Sequence, residues 1–361
     1  MKLKKMFLMV GSFCLLLMLF QASGAFAESK VIKLKFANYY PPFAAQSKIC
    51  EEFIAEFEKR TNGRVEVKYF PGGSLLKAPA MIKGIENGIV DIGLSHVVYT
   101  PGRFPVMEAC ELPIGYPTGW VANMIMGDFY NEFKPKEWDS TMPLWLCANN
   151  PALLPSKKPI RTLEDFKGQV IRAPGRSGEV IAALGGVPAP TKITETYDAL
   201  AKGVVEGSFT AGETVKTFRL GEVVKYVTQC WNIGTSYPFY VAMNKRSYDR
   251  LPADIQAILI ELSGEFRMKY ALMSNSEDFL GESFGKSHGV EYIELTKEES
   301  DKWTQAVQPV IENYVKDMVA KGFAESEVRG WIKYLKERSS YLLDKQIKYN
   351  IKSVTGPPEV R

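Results

Sequence analysis

Histidine is nearly missing from this chain: His96 and His288 are the only two among 361 residues. Metal sites draw on clustered imidazoles, thiolates and carboxylates, and no C-x-x-C pair or His-Cys cluster provides that spacing. Parts for covalent or acid–base catalysis are equally short. No G-x-S-x-G elbow occurs and no G-x-G-x-x-G follows a strand. Ser95 and His96 are the one pair of suitable types, and adjacent residues on a strand end point apart. An enzyme is not expected, and neither a metal nor a cofactor is called for. Excess charge is also lacking: 45 basic against 41 acidic residues give a formal +4, and three of the lysines sit in the first five residues. No basic block or interleaved aromatic-basic stretch marks a nucleic-acid surface. Beyond the first 20 residues no apolar run has the length of a membrane span. No repeat of fixed period or low-complexity segment occurs.

What is present begins with an export signal. Lys2, Lys4 and Lys5 precede an uncharged apolar run from Met6 to about Phe20, and Ala25-Phe26-Ala27 fits cleavage before Glu28. Residues 1–27 read as a cleaved signal peptide without a lipid-attachment cysteine, so the mature protein is expected to be soluble and exported. The apolar run is at the short end for an uncleaved anchor. About 334 mature residues exceed one ordinary core, which predicts two domains of roughly 150 residues with a cleft between them. The mature cysteines Cys50, Cys110, Cys147 and Cys230 permit one or two disulfides in an oxidising compartment. Cys50 on an apolar helix face and Cys147 at the end of an apolar strand favour buried free thiols.

Along the chain, period-two alternation in Ile32–Ala37 and Arg64–Phe70 predicts strands, and Ile49, Cys50, Phe53, Ile54 and Phe57 recur at helical spacing over 44–59. A helix near 79–87 and a strand at 89–92 complete a β-α-β-α-β unit. The same logic resumes after Pro155. A short helix at 163–166, a strand at 169–172, helices at 178–184 and 194–202 and a strand at 204–209 form a second α/β unit. Leu144–Ala148 and Phe239–Met243 read as apolar strands, with Trp145 assigned to core. Residues 253–286 contain few breakers and carry Ile255, Leu259, Leu262, Phe266, Tyr270 and Met273, enough for one helix of ~50 Å. Thr296 followed by Glu299 predicts a capping box opening a terminal helical region.

Several segments resemble one family in order and spacing. They are Gly63-Arg64-Val65-Glu66-Val67, Pro71-Gly72-Gly73-Ser74-Leu75, the run Gly84 to Gly93, Leu163 to Gly168 with Ile171-Arg172, Glu195 to Leu200, Gly203 to Gly207 and Leu220 to Tyr226. Together they are similar to the DctP-type substrate-binding proteins of tripartite ATP-independent periplasmic (TRAP) transporters, over nearly the whole mature chain. The resemblance implies an α/β, two-domain, periplasmic-binding-protein-like fold of type II with a hinge and a long shared helix. The expected division is residues 28–148 plus about 238–265 for the first domain, and 149–237 plus about 266–361, with the C-terminal helices, for the second. It also implies a periplasmic receptor that takes a small organic acid and delivers it to small and large integral-membrane subunits.

By the same resemblance an arginine ending the second-domain strand grips the ligand carboxylate, and that position is Arg172. A planar guanidinium matches a carboxylate and keeps its charge in a closed cleft. The carboxyl edge of a sheet is also where α/β crevices bind ligands. Arg176 at the next helix start either assists or faces solvent. Where the family commonly carries an Asn after its Val-Asp-Gly motif, this chain has Thr210, preceded by Phe209. First-domain candidates at strand ends are Tyr39, Tyr40, Ser95, His96 and Tyr99. Asn149 and Asn150, as weaker candidates, and Tyr237 by the crossing strand complete the set. The aromatic content and the missing amide point to an aromatic or branched 2-oxo or other monocarboxylic acid. The alternatives are a polar sugar acid, a dicarboxylate, or a secreted sensing module for a receptor kinase.

Overall fold

The computed structural model describes residues 31–361. The expected signal peptide lies outside the described residues. Strand β1 (Ile32–Asn38) buries Leu34 and Phe36 and exposes Lys33 and Lys35, as its alternation requires. The helix Ala45–Arg60 lays Ile49, Cys50, Phe53, Ile54 and Phe57 on that sheet face. There Phe53 meets Trp145 at 5.0 Å and Phe266 at 5.3 Å between ring centroids, both edge-on.

The first sheet has the order β2-β1-β3-β10-β4, with β2 at Val65–Phe70, β3 at Ile92–His96, β4 at Thr141–Ala148 and β10 at Pro238–Asn244. β2, β1 and β3 run parallel, and β10 is antiparallel to both β3 and β4. The second sheet has the order β11-β9-β5-β8-β6-β7, from β5 (Leu154–Ser156), β6 (Val170–Arg172), β7 (Val187–Ala189), β8 (Gly207–Ser208), β9 (Tyr226–Gln229) and β11 (Glu291–Glu294). Each sheet carries helices and forms a lobe. Residues 149–153 and 230–237 cross between the lobes side by side, with the Ala152 N–H donating to the Thr235 carbonyl at 3.0 Å.

The third connection is a single helix, Ala253–Ser287, of 35 residues. Ile255, Leu259, Leu262 and Phe266 pack in the first lobe's core. Farther along, Asp278 accepts the Glu213 N–H at 2.8 Å, which fastens a second-lobe loop to the helix. The last helix, Glu325–Lys348, was grouped with the second unit by sequence. Instead it lies along the helix Gly119–Phe133, which packs on β4 of the first lobe. Its amphipathic face specified burial but not which lobe would provide it.

Two strands differ from their expected spans for the same reason. β3 starts at Ile92, because Gly88 (φ 73°) turns the chain and leaves Ile89 exposed. β8 is confined to Gly207–Ser208, because Gly203 (φ 72°) ends the preceding helix in a turn that holds Val204 in solvent. Thr296 caps Glu299 N–H at 3.2 Å, but the Glu299 carboxylate accepts Leu163 N–H at 3.1 Å, so the expected box is one-sided. Among the described residues, Cys50, Cys110, Cys147 and Cys230 are free and buried.

Gly281 lies where the long helix meets the backbone of Gly212, and a methyl group there would overlap the Gly212 carbonyl. Gly281→Ala should therefore lower stability by about 1–3 kcal/mol, although alanine is the better helix former. Urea unfolding checks this: an unchanged or raised midpoint would mean the loop is not held against the helix.

Candidate functional site

The strand ends of the two sheets face one another across the crossing segments. From the first lobe come Tyr39 and Tyr40 after β1, and His96 and Tyr99 at the end of β3. From the second come Arg172 at the end of β6, Pro174, Ile193, Thr210, Ala211, Glu213, Thr214 and Phe218, while Asn149 and Tyr237 belong to the crossing segments and Phe239 to the start of β10 in the first lobe. These side chains leave about 20 Å³ of free space, on the order of one water molecule. Admitting an organic acid requires the lobes to separate. Across the closed cleft, the Ile193 N–H reaches the Tyr99 hydroxyl at 3.4 Å.

Local structure fixes the first-lobe wall. The Asn38 carboxamide accepts the Tyr40 N–H at 2.9 Å and donates to Ser47 Oγ at 2.9 Å and Tyr69 Oη at 3.0 Å, which locks the turn after β1. Tyr39 and Tyr40 consequently stack at 4.5 Å, and the Tyr39 hydroxyl is buried with no hydrogen-bond partner. His96 also has a buried, unpartnered Nδ1. Burial, reinforced by the Arg172 charge, holds this imidazole well below its usual range, so it is neutral.

Arg172 is 3% exposed. Its Nε donates to the Thr191 carbonyl at 3.0 Å, and no described carboxylate lies within ion-pair distance of it. Four residues on, Arg176 is nearly as buried but sits among three acids, Glu179 at 2.9 Å, Asp317 at 3.1 Å and Glu108 at 3.4 Å. Arg176 therefore neither faces solvent nor lines the cleft; it ties the second lobe to Glu108 of the first. The contrast separates a structural arginine from one whose charge is uncompensated, an arrangement that is costly unless an anion completes it.

Of the residues singled out by sequence, the structure brings Arg172, Thr210, Tyr39, Tyr40, His96, Tyr99, Tyr237 and Asn149 to one cavity. Three others are corrections. Ser95 points to the opposite face of β3 from His96 and donates to the Ala78 carbonyl at 2.9 Å. Asn150 bonds both Ser274 groups, its amide to the carbonyl at 2.7 Å and its oxygen to the hydroxyl at 3.0 Å, so it joins a crossing segment to the long helix. Phe209 is buried in the core, because alternation turns it away from the side on which Thr210 stands. Glu213, Phe218 and Ile193 were not anticipated. Glu213 and Phe218 follow Thr210 within eight positions, and that proximity was the only signal available.

Residues 36–317 match the family described as bacterial extracellular solute-binding protein, family 7, of the DctP type. The chain belongs to that family. It is 27% identical over 303 residues, 79% of this chain and 86% of the relative, to the C4-dicarboxylate-binding periplasmic protein DctP of Rhodobacter capsulatus. A TRAP periplasmic solute-binding protein structure from Desulfovibrio salexigens is 30% identical, with a TM-score of 0.75, covering 84% of this chain and 95% of that one. One from Rhodoferax ferrireducens, in complex with copurified benzoate, is 23% identical with a TM-score of 0.80, covering 87% and 100%. The family-7 chain is thus a solute receptor of TRAP transporters and not an enzyme. Proteins of this family are periplasmic, and no described helix is long and apolar enough to cross a membrane.

Burial pushes the Glu213 carboxyl up to about 8 from an ordinary 4.5; the Thr217 hydroxyl opposes the rise, while Asp278 and Glu277 reinforce it. The folded form therefore holds the proton more tightly than the unfolded form, and stability held below pH 4.5 is lost as pH climbs to about 8. Glutamine does not titrate. The melting temperature of Glu213→Gln relative to wild type should rise between about pH 5 and about pH 8.5. A falling difference would mean that Glu213 is ionised in the native protein.

Proposed function

We propose that this receptor binds a monocarboxylate with an aromatic or branched apolar body, a 2-oxo acid being the preferred class, and holds its carboxylate at Arg172. The buried, uncompensated guanidinium carries the reading. Rings and aliphatic side chains of Tyr39, Tyr40, Tyr99, Tyr237, Phe218, Phe239 and Ile193 supply the rest of the wall, a surface suited to flat apolar ligands. Arg172 is the only basic residue in that lining apart from the neutral His96. One carboxylate is therefore matched and a second is not, which sets this site apart from the dicarboxylate named for the Rhodobacter relative. The benzoate in the Rhodoferax structure belongs to that protein and, at that identity, marks a shared fold.

The remaining steps follow the family's architecture: residues 1–27 direct export and are removed, the lobes close on the acid, and the loaded receptor engages small and large integral-membrane subunits.

Isothermal titration with phenylpyruvate, indolepyruvate, branched 2-oxo acids and a uronate tests the ligand class. The 2-oxo acids should bind at least about tenfold tighter than the uronate, since each buried sugar hydroxyl left unpaired costs about 1–3 kcal/mol. Arg172→Ala should weaken them by at least about 30-fold, the lower end of losing a buried charged partner. A uronate binding about tenfold tighter would overturn the ligand class. Undiminished affinity in Arg172→Ala would remove the anchor.

A further inference from the structure

We propose that Glu213 reads the end of the ligand remote from its carboxylate, accepting a hydroxyl there and rejecting a second carboxylate. The inference rests on Arg172 as the carboxylate anchor. Glu213 is 3% exposed, lines the same cavity, and its Oε2 is buried without a partner. It is positioned independently of any ligand. Its N–H is held by Asp278 of the long helix at 2.8 Å, and the adjoining Thr214 hydroxyl closes the loop on the Ala211 carbonyl at 2.6 Å.

The two ionisable residues reach the cavity from different supports, Arg172 from the end of β6 and Glu213 from the loop that Asp278 fastens to the long helix. No ion pair joins Arg172 to Glu213 among the described residues, so the acid does not neutralise the anchor. Burial keeps the Glu213 carboxyl protonated at neutral pH. A protonated carboxyl has one donor and further acceptor capacity, and a hydroxyl satisfies both. A hydrocarbon end would leave Oε2 unpaired. A carboxylate end would bring a further negative charge to a place where burial already raises both Glu213 and Asp278 and Glu277 adds to the rise, and Lys216, the cation beside Glu213, is already paired with Glu277 at 3.5 Å and partly solvated.

Calorimetric titration of the whole mature protein tests this with phenylpyruvate, its 3-hydroxy and 4-hydroxy derivatives and its 4-carboxy derivative. The variants are Glu213→Leu, Glu213→Gln and Arg172→Ala. At least one hydroxylated acid should bind wild type and Glu213→Gln about tenfold tighter than phenylpyruvate, and the 4-carboxy acid about tenfold weaker. In Glu213→Leu the hydroxyl advantage should fall below about twofold. An equal advantage in Glu213→Leu and wild type overturns the role of Glu213 and leaves the anchor standing. So does a 4-carboxy acid that binds wild type as tightly as the hydroxylated ones, a comparison that needs no variant to fold. Unchanged affinity for every acid in Arg172→Ala overturns the anchor, and this inference with it.

Discussion

A guanidinium removed from water with no carboxylate beside it is the constraint around which this protein is arranged. Arg172 is held by one bond to the Thr191 carbonyl, and a desolvated charge without a counter-ion is costly unless an anion completes it. The groups around it preserve that imbalance. His96 is kept neutral, and burial makes Glu213 a hydrogen-bonding group in place of a counter-ion. Arg176 shows the alternative, since the same residue type four positions later has its charge compensated by Glu179, Asp317 and Glu108.

Holding that charge steady requires a rigid frame on both sides of a movable cleft. Arg172 ends a strand whose register with β7 and β8 is fixed by backbone pairing, and the Phe209 N–H bonds the Arg172 carbonyl at 2.8 Å. The opposite wall is set by Asn38, which fixes the turn carrying the stacked tyrosines. Between the lobes run two extended segments, the long helix and the return of the chain to the last helix, connections few enough for the lobes to move relative to one another while each wall stays intact. The contact of Arg176 with Glu108 and that of Ile193 with Tyr99 join the lobes in the closed form and must break on opening.

Much of this was legible because short-range periodicity reports directly on burial. The strands β1 and β2, the first helix and the 35-residue helix follow from apolar spacing alone, while Arg172 was singled out by resemblance and supported by its place at a strand end before Pro174-Gly175. Resemblance added the crossing connections and the role expected of that arginine. Less was legible where faces had to be assigned. Ser95 and Phe209 fall on the wrong side of their strands by a single step of alternation, and of Asn149 and Asn150 only the first faces the cavity. Glu213 was invisible for a different reason. Its burial depends on Asp278, 65 residues away, and on the close approach of Gly281 to Gly212, neither of which leaves a mark in the local sequence. The last helix shows the same limit, since its apolar face does not specify which lobe it covers.

If Arg172 is an unpaired charge retained for ligand, its removal should relieve the empty protein while disabling the loaded one. Thermal unfolding of Arg172→Met beside wild type, with and without saturating phenylpyruvate, measures both at once. The account predicts a ligand-free melting temperature equal to or above that of wild type and no rise on adding the acid. A variant that melts lower when empty, yet is stabilised by the acid as fully as wild type, would contradict it.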